Sequence, residues 1–252
     1  MMFFLLLILF QVLAVSLAKY VQSDVPDLMH RNNIAYYLNF QNFTRGVELG
    51  VAGASFSKIT LEGWSKCEKY ILVDLWGHQE NYNDAMNKDQ ANFDIVYNNA
   101  MLHVKAFKDK LEVMRMYTSE AAKKIPDNSV DYVYVDARHD YCGVMEDLEN
   151  YWPKIRPNGI MAGDDFIFAA EGDRAQDWSL CADGTTNPGA VKGAVIDFCG
   201  KRGLKYYEIP ASKNWVIRKP FDPDTFTVST SNTAPSPADF GITERSLVQG
   251  SS

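Results

Sequence analysis

Acidic residues recur at or beside the ends of short apolar runs in this chain. These acids are Glu48, Asp74, Asp136, Asp164 and Asp165. Short apolar runs are typical of buried parallel strands, and the carboxyl ends of parallel strands line a single crevice in which ligands bind. The sequence therefore predicts one pocket that is rich in carboxylate oxygens and suits a nucleoside cofactor and a metal ion.

The turn after the first apolar run contains Gly50 and Gly53. Glycine lets the backbone approach a ligand closely, and a helix predicted to begin near Ser55 adds free amide groups. Glu48, just before the turn, suits a cationic or amino-acid-bearing ligand. The spacing is not Gly-x-Gly-x-x-Gly, which disfavours a dinucleotide site. A tight turn without a ligand is the alternative that these residues alone leave open.

Asp74 ends the second run, about two dozen residues after Gly50, where an acid can accept hydrogen bonds from two ribose hydroxyls. Taken alone, this residue could equally cap a loop. Combined with the glycine turn, it predicts a ligand that contains a nucleoside.

Asp136, Asp164 and Asp165 end two runs that are predicted to be neighbouring strands. Carboxylates gathered at one place repel one another unless a cation or a proton lies between them. Their oxygens favour Mg²⁺ or Ca²⁺. His139 lies three residues beyond Asp136, and its near-neutral pKa suits a general base in the same crevice. The alternative is that some of these acids face solvent or cap helices and that the histidine is structural.

Strand-like runs alternate with longer segments between about residues 46 and 219. The predicted strands are 46–51, 70–74, 111–116, 130–136, 159–163, 204–208 and 214–218, and the predicted helices include 84–107, 143–154 and 189–201. This alternation predicts an α/β fold with a doubly wound, mostly parallel seven-stranded sheet that ends in an antiparallel hairpin. Pro157–Gly159 is predicted to be a turn before a strand, and 166–188 to be a lid over the pocket.

The ends of the chain differ in composition from its centre. Residues 1–18 are almost wholly apolar and predict a signal peptide that is cleaved before Lys19. A catalytic domain is then expected over 19–220, followed by a tail rich in Ser, Thr and Pro over 221–252. This organisation predicts a lumenal or extracellular protein without a stable membrane span. Because no Lys or Arg precedes the apolar run, an uncleaved anchor is the alternative.

Charge and cysteine usage narrow the partners and the compartment. The net charge is -7, and the sequence shows no basic stripe, so a nucleic-acid partner is not expected. The cysteines are Cys67, Cys142, Cys181 and Cys199. In an oxidising lumen they could form up to two disulfides, with three full pairings, and otherwise they stay free and partly buried. The absence of a Cys-x-x-Cys spacing argues against zinc.

Together these residues resemble a class I S-adenosylmethionine-dependent methyltransferase, of the small-molecule O-methyltransferase group that includes macrocin O-methyltransferase-like enzymes. The resemblance runs from about Gly46 to Arg218 and is densest over 133–141 and 144–165. It implies that Glu48 and Gly50 contact the methionine part of the cofactor and that the segment after the third strand lies beside the adenine. The cofactor contacts expected in all are Glu48, Gly50, Gly53, Asp74, Thr118, Ser119 and Asp136.

The resemblance also implies a reaction. Asp136, Asp164 and Asp165 would hold Mg²⁺, and His139, with Asp136, would serve catalysis of methyl transfer to a hydroxyl group of a small molecule. A secreted, catalytically silent protein that keeps the fold for binding is the alternative, because S-adenosylmethionine is made in the cytosol. A nicotinamide-dependent oxidoreductase is disfavoured, because the glycine fingerprint of that class is absent from the turn after the first apolar run. The oligomeric state stays open, with a homodimer as one option.

Overall fold

Residues 30–221 are described by a computed structural model of the chain. The predicted signal peptide lies outside the described residues, as does the predicted tail apart from Phe221. Both therefore stay predictions. The compact unit to which the described residues belong ends at Phe221, close to the predicted domain boundary.

A seven-stranded sheet lies at the centre of the molecule. Its strands are β1 (Arg45–Leu49), β2 (Lys69–Asp74), β3 (Leu111–Arg115), β4 (Val130–Val135), β5 (Ile155–Gly163), β6 (Tyr206–Ile209) and β7 (Asn214–Arg218). The spatial order is β3-β2-β1-β4-β5-β7-β6. Strands β1 to β5 pair in parallel, whereas β7 is antiparallel to both β5 and β6. The predicted doubly wound sheet with a carboxyl-terminal antiparallel hairpin is thus confirmed.

Helices cover both faces of this sheet. They are α1 (Ile34–Phe40), α2 (Ser55–Gly63), α3 (Gln90–His103), α4 (Thr118–Ala122), α5 (Tyr141–Tyr151) and α6 (Ala190–Arg202). Side-chain caps define two of the helix starts. The Asp89 carboxylate accepts from the Asn92 amide at 2.9 Å, and the Asp140 carboxylate accepts from the Gly143 amide at 3.0 Å. None of the helices within residues 30–221 is long and apolar enough to cross a membrane.

The two-residue period of the strands divides the core into two layers. On β4, Tyr132 and Tyr134 pack with α1, α2 and α3, whereas Val133 and Val135 pack with α4, α5 and α6. Successive side chains of a strand point to opposite faces, so a strand with both faces covered is apolar throughout. This burial explains why the central strands read as continuous apolar runs in the sequence.

Two expectations about local structure were wrong. The helix predicted over 84–107 begins only at Gln90, because the Asp89 cap ends a preceding loop that contains left-handed residues at Trp76 and Asn81. The turn predicted at Pro157–Gly159 lies inside β5, where the β4–β5 register shifts. Asn158 there is left-handed, with φ 70°, and a Cβ at Gly159 would lie 2.6 Å from the Asp131 carbonyl oxygen. The turn-forming residues therefore create a strand irregularity.

Candidate active site

A cavity of about 670 Å³ opens at the carboxyl ends of β1, β2 and β4. This volume lies within the range that holds a drug-sized ligand, roughly 300–1,000 Å³. The cavity lies at the edge of the sheet at which ligands of open α/β folds bind. Among the residues that line the cavity are Glu48, Asp74, Asp136 and His139.

The backbone of the glycine turn fits tightly against the end of β4. Gly50 has φ +80°, and a Cβ on it would lie 1.9 Å from the Asp136 carbonyl oxygen. The Asp136 amide also donates to the Leu49 carbonyl at 2.8 Å. Gly50 is therefore required by packing. A Cβ at Gly53, in contrast, would meet no atom of the described residues within 4 Å, and this glycine leaves free space along the cavity.

Asp74 shapes the same turn from the end of β2. Its Oδ2 atom accepts from the amides of Val51 and Ala52 at 2.8 and 2.9 Å, and its Oδ1 atom accepts from the Trp76 amide at 2.6 Å. Burial raises the pKa of this carboxyl, although the three amide hydrogen bonds act in the opposite direction. Asp74 thus lines the cavity and also holds the turn in place, a role that its sequence position did not indicate.

Glu48 is buried, with 1% of its surface exposed. Its carboxyl oxygens accept hydrogen bonds from Ser57 Oγ at 2.8 Å and from the Tyr70 hydroxyl at 2.7 Å. Burial raises the pKa of Glu48 to about 8, despite these two bonds. Burial therefore favours the neutral form of this carboxyl, and a cationic ligand group beside it would favour its ionisation.

His139 lies at the centre of the acidic end of the cavity. Its Nε2 atom is 3.4 Å from Asp136 Oδ1 and 3.4 Å from Asp165 Oδ2, while its Nδ1 atom is 3.2 Å from Asp84 Oδ2 and 3.1 Å from the Tyr82 hydroxyl. Burial by itself lowers the pKa of His139, but hydrogen bonds to Asp136 and Asp84 and the nearby carboxylate charges raise it to about 10. The imidazole is therefore charged at neutral pH in this arrangement.

The predicted metal-binding acids are only partly brought together. Ligand atoms of Asp136, His139 and Asp165 lie within 4.8 Å of one another. Asp164 instead forms an ion pair with Arg31, and its Oδ1 atom accepts from Asn214 Nδ2 at 2.9 Å. The carboxylate oxygens of Asp136 and Asp165 suit a divalent cation. Asp164 would have to exchange Arg31 for the ion in order to join them.

Two loops, 75–89 and 164–189, extend over this end of the cavity, and we call them the cover. They pair with each other through a bridge between Asn83 and Asp177. Trp178 Nε1 donates to Asp84 Oδ2 at 2.9 Å, and the Trp178 and His139 rings are 4.5 Å apart. Asp84 was not predicted as a site residue, because an acid in a loop of irregular length carries no positional signal.

A disulfide between Cys142 and Cys181, with Cα atoms 5.6 Å apart, joins the first turn of α5 to the cover. Cys67 and Cys199 are buried free thiols. One of the two disulfides allowed by the sequence is therefore formed. The disulfide links the loop that carries Trp178 to the helix that follows His139.

The cavity is also lined by Thr118 and Ser119, at the start of α4, and by Asp147 from α5. Asp147 is only 2% exposed, and burial raises the pKa of its carboxyl to about 7. Asp147 was not predicted as a site residue from the sequence. The signal was available, since Asp147 lies on the face of α5 that buries Val144, Leu148 and Tyr151, where an acid is rare.

Comparisons with known proteins agree with this geometry. Residues 46–166 match the family model described as a methyltransferase domain. A segment of 66 residues is 35% identical to an uncharacterized protein, y4gI, of Sinorhizobium fredii. That match covers 26% of this chain and 7% of the relative, so the chain spans only a small part of the relative's length.

Solved structures share the fold at low sequence identity. A putative caffeoyl-CoA O-methyltransferase from Staphylococcus aureus has a TM-score of 0.53 and 12% identity, and the alignment covers 82% of this chain and 90% of that one. An O-methyltransferase from Bacillus cereus in complex with SAH has a TM-score of 0.52 and 12% identity, with coverages of 82% and 88%. The O-methyltransferase NovP has a TM-score of 0.53 and 10% identity, with coverages of 75% and 78%. The described residues therefore share the fold of these O-methyltransferases, and the part of the chain that matches the family model resembles a methyltransferase domain.

Proposed function

We propose that the protein transfers the methyl group of S-adenosylmethionine to a hydroxyl oxygen of a small molecule. One observation carries this proposal. A single cavity joins the glycine turn and Asp74, which suit a nucleoside, to Asp136 and His139, and a ligand atom of Asp165 lies within 4.8 Å of theirs. Holding the acceptor oxygen against the methyl group in this cavity would supply most of the rate gain.

The cofactor would lie along the turn. The buried Glu48 carboxyl is suited to accept a hydrogen bond from the cationic amino group of the methionine part. Asp74 would accept from the ribose hydroxyls, and Thr118 and Ser119 would lie beside the base. The Bacillus cereus O-methyltransferase of similar fold was solved in complex with SAH, which supports the choice of cofactor.

The acidic end would hold a divalent cation such as Mg²⁺ through Asp136 and Asp165, with Asp164 joining them once it leaves Arg31. A cation there would lower the pKa of the acceptor hydroxyl. It would also offset the carboxylate charges that now keep the His139 imidazole protonated. His139 would then be free to take the hydroxyl proton at Nε2, while Asp84 holds the ring through Nδ1.

We further propose that the protein works in the lumen of the secretory pathway or outside the cell. The apolar residues 1–18 predict this route, and the Cys142–Cys181 disulfide supports it, because such bonds persist in oxidising compartments. A silent binding protein is the second candidate. The pairing of Arg31 with Asp164 favours that alternative, since it occupies a predicted metal ligand.

Calorimetric titration of the chain without residues 1–18 tests the cofactor proposal, with S-adenosylmethionine or SAH as ligand, with and without Mg²⁺. Gly53→Leu should abolish binding, because its side chain would extend into free space that the cofactor needs. Gly200→Leu is the matched control, since Gly200 is exposed on α6 and a Cβ there also meets no described atom within 4 Å.

Micromolar binding by the unmodified chain and by Gly200→Leu, but not by Gly53→Leu, is the expected result. A Mg²⁺-dependent change in affinity that Asp165→Asn removes would support the cation site. A folded chain that binds neither ligand would refute the methyltransferase proposal and leave the silent binding protein.

A further inference from the structure

An exposed turn between α1 and β1 carries a motif that plays no part in the cavity. Asn42-Phe43-Thr44 is the only Asn-x-Ser/Thr triplet in the sequence. Asn42 is exposed and lies just beyond the last residue of α1. Such triplets are acceptor sites for N-linked glycans on the surface of proteins that enter the secretory pathway. A triplet can also arise by chance, so the contacts of its side chains in the folded chain decide whether a glycan fits.

The backbone of Asn42 closes the carboxyl end of α1. Asn42 is left-handed, with φ 58°, and its amide donates to the Asn39 carbonyl at 3.1 Å. The next amide, that of Phe43, donates to the Leu38 carbonyl at 2.9 Å. These two bonds form a Schellman motif, in which the left-handed residue is usually glycine and sometimes asparagine. The fold therefore explains the backbone of Asn42 without requiring its side chain.

The side-chain atoms that N-glycosylation uses are free. Asn42 Oδ1 accepts from Lys66 Nζ, whereas Asn42 Nδ2 donates no hydrogen bond within residues 30–221. The Thr44 hydroxyl also has no hydrogen-bond partner in that part of the chain, although the Thr44 amide donates to Asp131 Oδ2 at 2.8 Å. A glycosylated asparagine keeps its carbonyl oxygen, so the contact with Lys66 can persist. The fold thus uses neither the nitrogen that would carry a sugar nor the hydroxyl that completes the motif.

We infer that Asn42 carries an N-linked glycan. The donor is an oligosaccharide linked to a lipid diphosphate, and a transferase of the secretory pathway brings it to the triplet. Asn42 Nδ2 forms a bond to the anomeric carbon of the donor sugar and loses one proton. The bond between that carbon and the diphosphate oxygen breaks, and the lipid diphosphate leaves with the electron pair. This inference rests on the proposed lumenal location and is independent of the proposed methyl transfer.

A glycan on Asn42 leaves the cavity open. Asn42 precedes the first residue of β1, whereas the cavity opens at the carboxyl end of that strand. At about 3.3 Å per residue, the five residues of β1 separate the two by roughly 15 Å. Asn42 is not one of the residues that line the cavity. The modified chain can therefore still admit a cofactor and an acceptor.

Expression of the full chain in cultured mammalian cells tests this inference. The intact mass of the secreted chain is measured before and after treatment with peptide-N-glycosidase, which removes N-linked glycans. Asn42→Gly removes the acceptor nitrogen and should fold, because glycine suits the left-handed position. Thr44→Val removes the hydroxyl and keeps the branched shape of the side chain. Thr44→Ser is its matched control, because it keeps a hydroxyl and preserves the triplet.

The wild type and Thr44→Ser should each show one shift in mass that the glycosidase reverses, and Asn42→Gly and Thr44→Val should show none. A secreted wild type without a glycan would overturn the inference, as would a glycan that persists in both Asn42→Gly and Thr44→Val. In either case the proposed location and the proposed methyl transfer would stand. If the full chain stayed in the cytosol, the proposed location would fail and this inference with it, while the proposed methyl transfer would stand.

Discussion

Replacing Asp147 with Asn should make the protein more stable at neutral and alkaline pH. Burial raises the pKa of the Asp147 carboxyl to about 7, from 3.8 for an unperturbed aspartate. Between these values the unfolded chain has released the proton while the folded chain still holds it. The free energy of unfolding therefore falls as pH rises through this window, and the loss is complete above pH 7.

The size of the effect follows from the two pKa values. A shift of about three pKa units at about 1.4 kcal/mol per unit corresponds to about 4 kcal/mol above pH 7, and to almost nothing near pH 4. Asn has the shape of the protonated acid and carries no charge, so Asp147→Asn should avoid this loss. The variant should match the wild type near pH 4 and exceed it at pH 8.

Urea unfolding from pH 4 to pH 8, with the disulfide kept oxidised, measures this difference. The wild type and Asp147→Asn share all other titrating groups, among them Glu48. The contributions of those groups therefore cancel in the difference between the two free energies of unfolding. Glu120→Gln is the control, because Glu120 lies on exposed surface of α4 and pairs with Lys123, and this variant should follow the wild type at every pH. If the wild-type and Asp147→Asn curves ran parallel over the whole range, the carboxyl would not be held protonated by burial, and the reasoning would be wrong.

Two further predictions concern the glycine turn and the cover. Gly50→Ala should lower the free energy of unfolding by more than about 3 kcal/mol and abolish SAH binding, because its Cβ would meet the Asp136 carbonyl at a left-handed φ. Urea unfolding measures this loss. Gly200→Ala is the control and should be neutral or stabilising. Reduction of the Cys142–Cys181 disulfide should cost about 2–4 kcal/mol, as a closed loop with a sequence separation of 39 implies, and should speed proteolysis within 164–189. The reductant should have no further effect on the Cys142→Ser/Cys181→Ser double variant, and an equal effect there would contradict this role.

Much of the fold and part of the site follow from local sequence patterns. A strand such as β4 is buried on both faces, so its sequence must be apolar throughout, and the acid that follows it marks the edge where ligands bind. Asp74 and Asp136 were placed at this edge by that argument alone. The helix start at Gln90 was not predictable in the same way, because it depends on where a long loop ends.

Contacts between segments that are distant in the chain could not be predicted from the sequence. Asp164 and Asp165 are adjacent, yet Asp164 pairs with Arg31 while Asp165 lies beside His139. The chain bends just after β5, and Asp165 has a left-handed backbone with φ 51°. Asp84 reaches His139 only because Trp178 and the cover hold it there.

The sequence by itself determined the succession of strands along the chain, the glycine turn and the acids at the strand ends, since each depends on residues close together in the chain. Only the tertiary structure decided which acids lie beside His139, which cysteines pair, and that Asp147 is buried beside Thr118. These properties depend on burial and on distances between separate elements, and no local pattern of residue types encodes them.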